Sequence, residues 1–380
     1  MQKISYISLM SNKVKAHGGI NLAQGIPAFE PPKELLDELQ EATKNNVHQY
    51  APGMGNADLL EQIKLHHQKD KSQLQKEEIL IVNGATEAIS LIYLYLFAQN
   101  KKKLSSCSIS PSYESYTNLP RIFSQEHYEI QAEDIKNGKL QQLIEKENIK
   151  LLFISLPGNP LGSILKEEEI DILLSYTEKH KLHIIFDNVY EDFLFEKNRI
   201  PLLKKLNNYC FYVNSFSKIF SITGWRIGYF ISSAENIRKI ADVHDYTGLS
   251  APSVLQYALA RYCEKTDFGK EYVHGIQKKL AENYAFLSTA LSKLGFKIDK
   301  AEGGYFIWCK LPDGYSDAKE FCMQIYEKQK IAMVPGIHFS PTATDYIRIN
   351  IARKKEELEA ALIGIEKFIL IEDLGLRIED

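Results

Sequence analysis

From residue 77 to residue 232 the chain alternates short apolar runs with longer amphipathic stretches, and this order leaves few folds open. "EEILIVNG" (77–84) reads as a buried strand ending in glycine, and "ATEAISLIYLYLFAQN" (85–100) as the helix that follows. "IKLLFISLPGNPLG" (149–162) is a strand running into a turn, and "KEEEIDILLSYTEKH" (166–180) is a helix with its charges on one side. "KLHIIFDNVYEDF" (181–193), "YCFYVNSFSK" (209–218) and "WRIGYFIS" (225–232) supply three more strands. Apolar strands separated by helices predict an α/β fold, a mostly parallel sheet covered by helices on both faces.

Past residue 251 the pattern changes. A long helical region runs through "APSVLQYALARYCEKT" and "GIQKKLAENYAFLSTALSKLG". "FKIDKAEGGYFIWCKLP" reads as a hairpin or pair of strands, with a helix near 316–329 after it. The strand "YIRINIA" (346–352) then precedes a terminal helix, "KKEELEAALIGIEKFIL". Short antiparallel strands among helices predict a smaller α+β domain, and 380 residues exceed the usual size of one hydrophobic core. The expected division is an N-terminal segment, 1–43, joining the small domain; a large domain, 44–275; and the small domain proper, 276–380. No repeat, low-complexity tract or Pro/Gly/Ser-rich linker intervenes, so the domains are expected to pack closely.

Composition removes several classes of function. A net charge of −3 gives no attraction for nucleic acid or an anionic membrane, and "KKK" at 101–103 reads as a solvated turn. The five cysteines are odd in number and form no C-x-x-C pair, so neither a disulfide framework nor a metal site is expected. The amino terminus lacks the apolar core of a signal peptide, and no segment approaches the roughly 18 apolar residues of a membrane helix. A soluble, cytoplasmic protein is expected.

In an open parallel sheet, ligands bind outside the carboxyl ends of the strands. At the first of these ends Gly84, Ala85 and Thr86 place backbone N–H groups and a hydroxyl at a helix N-terminus, suited to an anion. Tyr113 follows the strand that ends in Pro111, where its ring can stack on a flat ligand. Asn159, in "PGNPLG", can donate from its amide. Asp187 ends an apolar strand, with Tyr190 three residues on, and a carboxylate there either caps a turn or faces a cationic ring nitrogen. Lys218 lies in "NSFSKIFSITGWRIGYF" among apolar neighbours, where a surface lysine fits poorly. Desolvation lowers a lysine's pKa and frees its amine as a nucleophile. Ser215, Ser217 and the Arg226 guanidinium can together hold a phosphate. Each feature alone has a plain structural alternative. Together, a phosphate site, a stacking ring, an oxygen donor, a carboxylate for a ring nitrogen and an amine for an aldehyde describe pyridoxal 5'-phosphate.

The sequence also resembles the class I and II aminotransferases of fold type I. The resemblance runs from "NLAQGIPAFEPP" (21–32) and "HQYAPGMGNADL" (48–59) through "GATEA", "PSYESY", the Asn-Pro turn and "SFSK" to "EGGYF" and "YIRI". It is strongest to the methionine, kynurenine and aromatic aminotransferase branch. It implies that Lys218 forms the imine with the cofactor, that Asp187 keeps the pyridine nitrogen protonated, and that Tyr190 and Asn159 bond the ring's phenolic oxygen. It further implies that Tyr113 stacks on the ring and that Ala85, Thr86, Ser215, Ser217 and Arg226 hold the phosphate. Arg348 clamps the substrate α-carboxylate, with Asn159 and the backbone of Gly25 beside it. Tyr50 reaches the phosphate of the neighbouring subunit, which implies a homodimer with shared sites. Two positions depart from the common pattern: Leu161, where threonine is frequent, and Leu60, where the tyrosine motif is often followed by Leu-Arg.

The expected reaction moves the amino group of an L-amino acid to a 2-oxo acid in two half-reactions, with freed Lys218 as the base at the α-carbon. No arginine matches the second carboxylate clamp of aspartate-type members. Ile26, Phe29 and Tyr305 are expected to line an apolar pocket suited to methionine or aromatic side chains. Two alternatives use the same cofactor: a cysteine-S-conjugate β-lyase, and a non-catalytic regulator. The regulator form carries a DNA-binding domain ahead of the matched region, and a resemblance that starts near residue 20 leaves none expected.

Overall fold

The computed structural model describes residues 5–196 and 200–373. The strands in chain order are β1 (Ile20–Asn21), β2 (Ile79–Val82), β3 (Ser106–Ile109), β4 (His127–Ile130), β5 (Leu151–Ser155), β6 (His183–Asp187), β7 (Cys210–Ser215) and β8 (Gly228–Ile231). After them come β9 (Lys297–Ile298), β10 (Phe306–Lys310), β11 (Ile331–Ala332), β12 (Val334–Pro335) and β13 (Tyr346–Asn350).

Seven strands form the large sheet, in the order β2-β8-β7-β6-β5-β3-β4. Six point the same way, and β8 runs antiparallel to both β2 and β7. The sheet's two faces explain why its central strands β5 and β6 are mostly apolar. Leu152, Ile154, Ile184 and Phe186 enter one buried cluster, while their neighbours Leu151, Phe153, Ile185 and Phe211 enter another on the opposite face. Successive side chains of a strand alternate faces, so only a sheet covered on both sides demands this pattern. The helix Ala85–Gln99 covers one face, burying Ile89, Ile92, Tyr93 and Leu96. Each such side chain removed from water contributes roughly 1.5–3 kcal/mol.

The second sheet has four strands in the order β12-β13-β10-β9, all antiparallel. Its core gathers Ile307, Cys309, Ile347 and Ile349 with Leu280, Leu287, Phe321 and Leu358 from the helices Lys270–Lys293, Ala318–Gln329 and Lys355–Asp373. Strand β1 pairs in parallel with β11, Ile20 opposite Ile331. We propose on that pairing that the N-terminal segment groups with residues 276–380, beside a body spanning 44–275. The helix Lys33–Ala42 is an exception within it, since Leu35 packs into the core of the large sheet. Residue 275 falls inside the helix Lys270–Lys293, which joins the two bodies without a break.

All five cysteines are buried and free. Among the described residues no helix is long and apolar enough to cross a membrane, and no cluster of side chains fits a metal ion.

Candidate active site

A cavity of about 280 Å³ opens at the carboxyl edge of the large sheet, where the second sheet faces it. Gly25, Ala85, Thr86, Tyr113, Asn159, Asp187, Tyr190, Ser215, Ser217, Lys218, Arg226 and Arg348 all line it. Topology brings them together. Asp187 is the last residue of β6, Ser215 the last of β7, and Lys218 sits on the four-residue helix Phe216–Ile219 that follows β7. Arg226 precedes β8, and because β8 is antiparallel its start lies at this same edge. Arg348 comes from β13 of the other sheet, opposite Trp308 in register.

The Lys218 side chain is half-buried, and its Nζ donates to the Gly25 carbonyl at 2.5 Å. Burial, with Arg348 and Arg226 nearby, depresses its pKa to about 8; Asp187 opposes the shift. Tyr305, fully buried behind it, donates its hydroxyl to the Lys218 carbonyl at 2.8 Å. Asp187 is buried, and that burial pushes its pKa up to about 6 against the pull of Tyr116, the Val189 N–H and Lys218. Tyr116 donates to Asp187 Oδ2 at 2.7 Å. Its ring meets that of Tyr113 edge-on, centroids 5.7 Å apart.

Arg348 is only 1% exposed. Its guanidinium lies 4.0 Å from the centre of the Phe306 ring and 4.6 Å from that of Phe339. Nη1 donates to Asn159 Oδ1 at 2.8 Å and Nη2 to the Ala23 carbonyl at 2.6 Å, while buried Nε has no hydrogen-bond partner among the described residues. Burial lowers its pKa to about 10, so it stays charged at neutral pH. With Oδ1 engaged, the Asn159 amide N–H groups remain free to donate.

The remaining groups gather at one end of the cavity, beside the start of the helix Ala85–Gln99. Gly84 adopts φ +83° at the mouth of the helix Ala85–Gln99, and a Cβ there would stand 2.5 Å from Arg226 Nη2, so only glycine lets the guanidinium approach. Arg226 itself has φ +56°, a conformation uncommon for a residue with a side chain. Its Nη1 and Nη2 donate to the carbonyls of Thr223 and Asn83 at 3.1 and 3.2 Å. Ser215 Oγ donates to Ser217 Oγ at 2.9 Å and accepts from the Ser217 N–H at 3.1 Å.

Tyr50 is 83% exposed and lies outside this chain's own cavity; its expected contact is in the neighbouring subunit. Other placements differ from expectation. Of the apolar set, Ile26 lines the cavity, but Tyr305 lies behind Lys218, and Phe29 sits under the Lys279 ammonium, 5.7 Å from its ring centre. Phe306 takes Tyr305's place, because adjacent residues entering a strand point to opposite faces. Tyr116 was not anticipated, although it lies three residues after Tyr113, which precedes the helix Glu114–Ile122 that carries it. Ile7 and Gln24 also line the cavity; Gln24 falls within "NLAQGIPAFEPP", where no role was read for it, and no local pattern marks Ile7.

This donor set suits pyridoxal phosphate: an amine of lowered pKa, a buried carboxylate for a ring cation, a cup for a dianion, and an arginine with a spare buried donor. Fold and site together are those of a pyridoxal-phosphate enzyme. The sequence profile described as "Aminotransferase class I and II" matches residues 17–365, and the chain belongs to that family. Its members depend on pyridoxal phosphate, and this chain is an aminotransferase. It is 28% identical over 359 residues to a probable aspartate aminotransferase of Methanocaldococcus jannaschii, covering 92% of this chain and 93% of that one. It is 25% identical over 363 residues to aromatic-amino-acid aminotransferase 2 of Thermococcus litoralis, covering 93% and 92%. Among solved structures, the aspartate aminotransferase of Thermotoga maritima superposes with a TM-score of 0.85 at 25% identity, covering 97% and 98%. These names favour transamination over the lyase and regulator alternatives.

Proposed function

We propose that this enzyme moves the amino group of an apolar or aromatic L-amino acid, methionine among them, to a 2-oxo acid, with the cofactor held on Lys218. The observation that carries this reading is the convergence of Lys218, Asp187 and Arg348 on one cavity.

Bound there, the cofactor supplies an aldehyde that accepts the amino group and a cationic ring that draws electron density from the substrate α-carbon. Asp187 would hold the proton of the ring nitrogen. Tyr190 and Asn159 would donate to the phenolic oxygen, and Tyr113 would stack on the ring. Ala85, Thr86, Ser215, Ser217 and Arg226 would hold the phosphate. Arg348 and the Asn159 amide grip the α-carboxylate, with the Gly25 backbone beside them, which fixes the α-carbon against Lys218. With a pKa of about 8, a substantial share of the Lys218 amine is neutral near that pH, able to take the α-proton and return it elsewhere.

Side-chain preference rests on the lining. Among the described residues of the cavity wall the cations are Lys218, Arg226 and Arg348, each with a role above. A second carboxylate would meet Glu114 and the apolar Ile7, Ile26 and Phe306 instead. The relatives' names span aspartate and aromatic substrates and do not decide between them. Exposed Tyr50 is proposed to reach the phosphate of the partner subunit in a homodimer. Five buried free thiols fit a reducing compartment such as the cytoplasm.

The test is a panel of amino donors with a fixed 2-oxo acid. Methionine or an aromatic donor should exceed aspartate in kcat/KM by at least about tenfold, roughly 1.4 kcal/mol. A preference for aspartate overturns the substrate assignment. Ammonia release without an oxo acid overturns transamination as the main reaction.

A further inference from the structure

Glu87 grips the turn Asn83–Gly84 from behind, on the side away from the cavity. Its Oε2 accepts from the Asn83 backbone N–H at 2.5 Å and from Asn83 Nδ2 at 3.0 Å. The same Asn83 offers its carbonyl to Arg226 Nη2. On the far side the carboxylate meets His244, fully buried, whose Nε2 lies 3.5 Å from Oε2. Gly248 closes the pocket around both: a Cβ there would fall 2.3 Å from Glu87 Oε1 and 3.1 Å from the His244 ring. Burial pushes the Glu87 pKa up, but the nearby His244 and the bonds from Asn83 outweigh it and leave it below the ordinary value. A carboxylate this close to an anion cup repels a phosphate, so its presence calls for a compensating benefit. The geometry supplies one. A chain of contacts runs from His244 through Glu87 and Asn83 to the Arg226 guanidinium.

We propose that Glu87 is a positioning residue of the phosphate cup: it fixes Asn83, whose carbonyl aims Arg226 at the cofactor phosphate. This rests on the reading that Arg226 binds that phosphate. Glu87 touches neither substrate nor cofactor. Its effect is therefore on the phosphate and not on the ring, and comparing pyridoxal phosphate with pyridoxal separates the two.

The experiment is spectroscopic titration of the cofactor-stripped, full-length enzyme with pyridoxal phosphate and, separately, with pyridoxal. Glu87→Ala should weaken pyridoxal phosphate about tenfold and leave pyridoxal within about twofold. Glu87→Gln should stay within about threefold of the parent for both, because its amide oxygen still accepts from Asn83. Gly248→Ala crowds the carboxylate without touching the cup and should reproduce part of the Glu87→Ala loss. It also decides the matter should Glu87→Ala not fold. The proposal is overturned if pyridoxal weakens in parallel, or if Glu87→Ala and Gly248→Ala leave pyridoxal phosphate unchanged. Arg226→Ala distinguishes the two levels. If it lowers the phosphate preference while the Glu87 variants do not, only the Glu87 role fails. If it leaves the preference intact, the phosphate assignment fails with it.

Discussion

The Tyr116 hydroxyl donates to Asp187 Oδ2 at 2.7 Å, and both side chains are buried. The bond favours the ionised carboxylate, working against the burial that raises its pKa to about 6. Tyr116→Phe removes it with almost no change in volume. In the cofactor-free protein the Asp187 pKa should then rise further, and pyridoxal phosphate affinity should fall on the acid side of its pH profile, because a protonated carboxyl no longer pairs with the ring cation. We expect a loss of about tenfold at pH 6 and less at pH 8. A uniform loss across the profile would show that Tyr116 acts by packing alone.

Asp187 also links stability to pH in the cofactor-free protein. Its folded pKa of about 6 lies above its ordinary value of 3.8, so between these values the folded chain binds more protons than the unfolded one. Stability therefore falls as pH rises through this window, by roughly 3 kcal/mol at full effect. Asp187→Asn abolishes the titration. Urea unfolding of both proteins from about pH 4 to 7 should show the variant gaining on the parent as pH rises. A difference that stays flat would mean that Asp187 titrates normally.

Arg348→Lys keeps the charge but loses the planar fork held between Phe306 and Phe339. A lysine cannot form two parallel bonds to a carboxylate. KM for amino acid and oxo acid should rise on the order of 100-fold, about 2.7 kcal/mol. Cofactor binding should hold within a few-fold. Steady-state kinetics with both substrates check this, and an unchanged KM removes Arg348 from carboxylate binding.

How much of this was legible in the sequence varies along the chain. The apolar strands β5, β6 and β7 are buried on both faces, so their residues carry the signal directly. β4, "HYEI", is half-exposed at the sheet edge and has no such run. β3, "SCSI", is buried but polar, and it stays so because Ser106 and Ser108 bond the His127 ring at 2.9 and 3.0 Å. A pairing of that kind is written in two distant segments and in neither alone. The reversed direction of β8 was equally hidden, since periodicity does not encode strand orientation. In the site, residues at strand ends were readable because topology assigns them a place. Ile7 and Gln24 were not, because tertiary contacts deliver them. Asn350 does part of that work, donating to the carbonyls of Gln24 and Ile26 at 2.7 and 3.0 Å.

The central claim is that the Lys218 amine carries the cofactor, and chemical trapping tests it most directly. The purified holoenzyme is reduced with borohydride, digested, and the modified peptide mapped by mass spectrometry. The account predicts one pyridoxyl group per chain, on Lys218, and none in Lys218→Ala. A pyridoxyl group on another lysine, or a yellow enzyme that borohydride leaves unlabelled, would contradict it.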